Sequence, residues 1–179
     1  TAKCPSYYFC FKKALKNLEK GTTAFTPAVS LLKGLEVALE MIKKETIEAV
    51  WCRHSGLANA TRAAMAAMGL ELYSKSPANV VTAVKVPAGV DGGKITKILR
   101  DKYGITIAGG QEQLKGKIFR IATLGWHTGF DVIHCVAALE LTLAELGLSF
   151  EPGAALAAAQ KTLFAADPSL AAAAAGLSR

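Results

Sequence analysis

The stretch Gly109-Gly-Gln-Glu-Gln-Leu-Lys-Gly-Lys-Ile-Phe-Arg-Ile-Ala-Thr-Leu-Gly-Trp-His-Thr-Gly-Phe-Asp131 decides how this chain is read. A glycine-rich loop runs into a short apolar segment, and a second glycine turn opens a helix. Arg120 interrupts the apolar segment between Phe119 and Ile121. Its guanidinium stays charged at any ordinary pH, so within a strand it must meet an anion or face water. A planar fork of donors suits a carboxylate. The segment therefore reads as a strand able to hold a carboxylate, with a salt bridge at a strand edge as the plainer alternative.

Outward from this stretch the apolar spacing alternates between strand and helix periods. Phe130–Leu146 reads as a helix, with Val132, Ile133, Val136, Leu139, Leu143 and Leu146 at helical spacing. Lys117–Ala122 reads as a strand, and Ile105–Ala108 as a shorter one. Asp91 is an N-cap for a helix through Lys102 that Gly104 closes. Leu70–Tyr73 and Val80–Val86 read as two further strands. Two long helices precede them. One runs from Pro27 to about Lys44, with Thr26 as N-cap and Leu31, Leu32, Leu35, Leu39 and Ile42 as a buried stripe. The other spans roughly Glu45–Met68, ends at Gly69, and carries Ala60, Ala63 and Ala64 for close packing. Residues 5–20 form a first helix, with Tyr8, Phe11, Leu15 and Leu18 at helical spacing. The expected class is α+β: two long N-terminal helices, then a small, largely antiparallel sheet covered by helices. Residues 1–150 form one domain. Residues 151–179 form an alanine-rich C-terminal extension, with a helix over 153–165 and a low-complexity end over 169–179.

Bulk composition excludes several classes. At 179 residues and 51% apolar, the chain builds a real core and is not disordered. Charges interrupt every long apolar run, so no membrane partner is expected. The N-terminus lacks the apolar run of a secretory signal, and the missing initiator Met reads as a chain processed or cut from something longer. Cys4, Cys10, Cys52 and Cys135 are scattered without a CxxC pair. That pattern argues against a zinc site and for a reducing intracellular compartment, cytoplasmic or organellar. The net charge of +7 invites a nucleic-acid reading. The lysines, however, are spread over helical faces with no basic–aromatic alternation and no nucleic-acid motif, so no nucleic-acid partner is expected.

Five landmarks now stand in order: Leu18-Glu-Lys-Gly-Thr-Thr-Ala-Phe-Thr-Pro-Ala-Val-Ser30, Met68-Gly-Leu-Glu-Leu72, Val84-Lys-Val-Pro-Ala-Gly-Val-Asp91, Ile107-Ala-Gly-Gly-Gln111, and Leu114-Lys-Gly-Lys-Ile-Phe-Arg-Ile121 followed by Gly125. In this order the chain resembles the C-terminal small domain of class V aminotransferases dependent on pyridoxal 5'-phosphate. The likeness is to the alanine–glyoxylate, serine–glyoxylate and serine–pyruvate group, including proteins labelled soluble hydrogenase subunits, and it covers about residues 5–148.

The resemblance implies that Arg120 binds the substrate α-carboxylate, with Gly110 beside the substrate entrance. It implies that Thr26, and with it Thr23, reaches the cofactor phosphate of a neighbouring subunit. A plain N-cap accounts for Thr26 as well, and a strand-to-loop turn accounts equally for Gly109, Gly110 and Gln111. The resemblance also implies that the cofactor is held mainly by a large domain absent from this chain, which would carry the Schiff-base lysine. Lys75 lies in a polar turn and is no substitute, so no catalytic residue is assigned here. His127 is an exposed loop residue or a polar contact. His54 and His134 read as ordinary helix residues, and Trp51 and Trp126 as packing groups. The implied partners are the chain's own large domain or a companion chain, a second copy in a homodimer, and small amino and keto acids. The implied function is transfer of an amino group from serine or alanine to glyoxylate or pyruvate. The alternatives are a catalytically incompetent small subunit or docking module, and a free-standing amino-acid sensor.

Overall fold

In the computed structural model, which describes residues 6–167, six helices and a three-stranded sheet are arranged in two units that divide between Thr46 and Ile47. The expected α+β class holds. Cys4 and the stretch 169–179 lie outside the described residues.

The first unit carries α1 (Phe11–Leu18) and α2 (Val29–Glu45). Helix α1 starts later than the apolar spacing predicts, because Phe9 sits at φ 54° and cannot continue a right-handed helix. The rings upstream pack instead on the following turn. Tyr8 lies 4.4 Å from Phe25, and the Lys13 ammonium stands 4.6 Å over the Tyr7 ring. Helix α2 also starts late, and Thr26 is not its N-cap. Ala28 has φ −77° and ψ 72°, and the Val29 N–H donates to the Pro27 carbonyl at 2.9 Å. That is an inverse γ-turn, which delays the helix by two residues and leaves Ala28 as the cap. The expected buried stripe is overturned too. Leu31, Leu32, Leu35, Leu39 and Ile42 are between 40% and 74% exposed, and no α2 residue is buried.

The second unit runs through α3 (Ile47–Ala67), β1 (Val81–Lys85), α4 (Gly92–Tyr103), β2 (Ala108–Gly109), β3 (Ile118–Ala122), α5 (Gly129–Glu145) and α6 (Ala154–Ala166). Strand β3 is central in the order β1-β3-β2, antiparallel to both neighbours. The strand expected over 70–73 reduces to one bridge, Leu72 to Val84. Its pairing with β1 consists of two hydrogen bonds, Tyr73 N–H to Ala83 and Lys85 N–H to Glu71. The strand expected over 105–108 pairs only from Ala108 onward.

One sheet face presents Thr82, Val84, Phe119 and Ile121, all buried. It joins Ile95 and Leu99 of α4, Leu57, Ala64 and Met65 of α3, and Val132, Val136, Leu139 and Leu143 of α5 in one core. Asp91 caps α4 by accepting from the Gly93 N–H at 2.8 Å, and Gly104 closes it, as the sequence predicts. Helix α6 packs on α3 and α5 through the fully buried Ala155 and Ala159. Its start is held by the buried Glu140, whose carboxylate accepts the Ala155 N–H at 2.9 Å and the Gly153 N–H at 3.3 Å.

Two stability predictions follow from this packing. The Thr82 hydroxyl is buried without a hydrogen-bond partner. Thr82→Val keeps the shape and removes an unpaired polar atom, so urea unfolding should show a gain of about 1 kcal/mol. A loss would mean the hydroxyl has a partner. At the start of α5, Asp131 accepts from the Thr128 N–H at 2.6 Å and the Thr128 hydroxyl at 2.8 Å, a capping box. These donors hold its carboxyl below the usual aspartate value. A depressed folded value means the stabilisation is complete above the unfolded pKa, about 3.9, and is lost as pH falls through the lower folded value. Asp131→Asn should therefore flatten the acid limb of a stability–pH curve below about pH 4. An identical limb in the variant would remove Asp131 as its source.

Candidate functional site

Arg120 occupies the middle of the central strand. Its cross-strand neighbours are Ala83 on β1 and Ala108 on β2. Side chains alternate across a strand, so Arg120 points away from the face that buries Phe119 and Ile121. Two alanines beside it leave room for a long side chain to lie over the sheet. Its Nε donates to the Gly109 carbonyl at 3.0 Å, which fixes the plane of the guanidinium. The residue is half-buried, and no carboxylate lies within ion-pair distance of it among the described residues. The strand-edge salt bridge considered from the sequence is thus not formed within the described residues.

Arg120 lines a cavity of about 880 Å³, together with Ile107, Leu124, His127, Asp131 and Cys135. The apolar members limit water on one side, which strengthens charge–charge attraction there. Asp131 is committed to Thr128, and the His127 Nδ1 stands 3.8 Å from its carboxylate. Burial pushes the Cys135 thiol up to about 11, so at neutral pH it is protonated and is no nucleophile. The cavity therefore offers one fixed cation, no activated nucleophile and an apolar wall. The guanidinium makes such a site suited to an anion.

The structure brings Gly110 close to Arg120, since Gly109 is the arginine's acceptor. Gly110 itself has a local reason to be glycine. A Cβ there would stand 1.9 Å from the Leu114 carbonyl oxygen. Its N–H donates to Ile118 at 3.0 Å, closing the loop onto β3. In the first unit the Thr23 hydroxyl is spent on the Phe25 carbonyl at 2.7 Å. Thr26 is exposed, and the γ-turn frees it from capping. Lys75 lies exposed in the turn after Tyr73. Trp51 and Trp126 are both mostly exposed, so neither packs in the core of this chain.

The residues that sequence reasoning passed over are Arg53 and His54 on α3. Arg53 donates to the carbonyls of Gly125 at 2.9 Å and His127 at 3.1 Å, with its guanidinium 5.7 Å from the Trp126 ring centre. The Gly125 N–H donates to the His54 Nε2 at 3.1 Å. The signal available was an Arg-His pair one turn before Leu57, where α3 becomes buried.

No family model matches the chain. Curated relatives do. The chain is 46% identical over 168 residues to a protein named soluble hydrogenase, small subunit, from Synechococcus sp., covering 91% of this chain and 43% of that one. It is 36% identical over 159 residues to the serine–glyoxylate aminotransferase of Methylorubrum extorquens, covering 87% and 40%. Among solved structures, the ureidoglycine–glyoxylate aminotransferase of Bacillus subtilis superposes with a TM-score of 0.78 at 32% identity, over 83% of this chain and 40% of that one. The chain spans about two fifths of the length of these proteins. The likeness in sequence and in fold to these glyoxylate aminotransferases makes this chain a member of the class V aminotransferase family, matching its small domain.

Proposed function

We propose that this chain is the substrate-carboxylate-binding part of a pyridoxal-phosphate-dependent aminotransferase, moving an amino group from serine or alanine to glyoxylate or pyruvate. The observation that carries the reading is Arg120, a half-buried guanidinium anchored through Nε and lacking any carboxylate partner among the described residues. Its terminal nitrogens suit the two oxygens of an α-carboxylate. Anchoring at Gly109 stops the fork from rotating, so a bound amino acid keeps one orientation of its Cα–H bond. Amino donor and keto-acid acceptor share that carboxylate, so the same clamp serves both half-reactions. The apolar wall at Ile107 and Leu124 keeps water from competing for the guanidinium.

The cofactor supplies an electron sink for the charge that develops at Cα. On this chain, Thr26 is suited to its phosphate, because the hydroxyl is exposed and released from capping, and Thr23 is less so because its hydroxyl is already committed. The Schiff-base lysine is assigned to a companion large domain, since Lys75 lies exposed in a turn. The unburied stripe of α2 supports such a companion, with a second copy in a homodimer. The free thiols of Cys10, Cys52 and Cys135 fit a reducing compartment.

Arg120→Lys in the complete protein tests the reading. A lysine keeps the charge and loses the fork. The loss of one charged hydrogen bond, about 1.5–3 kcal/mol, should raise KM for the amino donor about tenfold to a hundredfold. An unchanged KM would overturn the assignment of Arg120.

A further inference from the structure

The connection between β3 and α5 forms one wall of the Arg120 cavity through Leu124 and His127. Nothing in that connection's own sequence makes it rigid. Leu124, Gly125, Trp126 and His127 are all exposed, and Gly125 has φ 83°, in the left-handed region. Its fixed points come from α3. The connection offers two carbonyls and one N–H, and Arg53 and His54 meet them with two donors and one acceptor.

The geometry points to His54, seconded by Arg53, as a positioning residue for the carboxylate site, an inference that rests on the reading of Arg120 above. The tautomer follows from the partners. Nδ1 of His54 lies 2.7 Å from the Val50 carbonyl, which can only accept, so Nδ1 carries the hydrogen. Nε2 then presents a lone pair, which is what the Gly125 N–H requires at 3.1 Å. The helix's own carbonyl thereby sets the ring in the state that grips the loop. Thr123, one residue past the end of β3, is pinned by its N–H to Val80 and its hydroxyl to Asn79. Between that point and the Thr128 capping box, the His54 and Arg53 bonds are, among the described residues, the ones that hold the backbone. Through Gly125 the ring therefore sets where Leu124 and His127 stand beside Arg120.

The test uses the complete protein with two substitutions. His54→Leu removes the acceptor with similar bulk, and His54→Gln places an amide oxygen near the Nε2 position. Backbone hydrogen exchange is read over residues 123–128, and KM and kcat are measured for the amino donor. For one lost hydrogen bond, exchange in this segment should rise about tenfold in His54→Leu and KM about tenfold, with kcat changing much less. His54→Gln should recover both to within about threefold of wild type, which a purely structural defect would not do. Unchanged exchange in His54→Leu overturns the clasp. Raised exchange with unchanged KM overturns its role in the site. Arg120→Lys, run in parallel, isolates the other question. If it leaves KM unchanged the assignment of Arg120 falls, while the exchange measurement still decides whether His54 holds the loop.

Discussion

A permanently charged side chain stands in the middle of the strand that fills the core, and much of the second unit answers to that constraint. Strand β3 must bury Phe119 and Ile121 on one face while keeping Arg120 off it. Burying each of those two side chains is worth about 1.5–3 kcal/mol, whereas an unpaired buried charge costs several times more. A one-residue slip of register would exchange the faces, so the pairing is tightly specified. Ala83 and Ala108 then follow as the small neighbours a guanidinium needs on the open face, and Gly109 as its acceptor.

Close packing of small residues is a second theme, and it gives the alanine-rich region its purpose. Helix α6 has few large side chains, yet Ala155 and Ala159 are fully buried against the rest of the core. Alanine loses no side-chain entropy on burial and lets helices approach closely. The carboxylate of Glu140 adds what alanine cannot, namely acceptors for the free N–H groups at the helix start. Alanine-rich sequence here corresponds to a packed helix over Ala154–Ala166.

Much of this was legible. The bounds of α4, α5 and β1, the cap at Asp91 and the stop at Gly104 came from local chemistry that tertiary structure had no reason to override. The errors have physical causes. Thr26-Pro27 carries the pattern of a helix start, but the Val29 N–H bonds back to Pro27 in a turn that propensity does not encode. Residues 70–73 have strand composition, yet they reach β1 through a single bridge. Arg120 was legible as a residue to be accounted for, because a charge in an apolar run needs an anion or water. His54 was not, because its partner is the backbone of a loop 71 residues away, and a backbone N–H leaves no mark in sequence.

The apolar stripe of α2 poses the remaining energetic question. Five large aliphatic side chains at helical spacing face solvent along a 17-residue helix with no buried residue. Such a helix is marginal in water on propensity alone. Covering the stripe would contribute on the order of 10 kcal/mol, an upper bound that is still the size of a domain's whole stability. Neither helix of the first unit has a buried residue, so within the described residues this unit lacks a core that would supply such free energy. A covering surface of that extent is what the proposed companion domain would supply. Under that proposal the turn bearing Thr23 and Thr26, which leads directly into α2, would gain a fixed place only when α2 is covered.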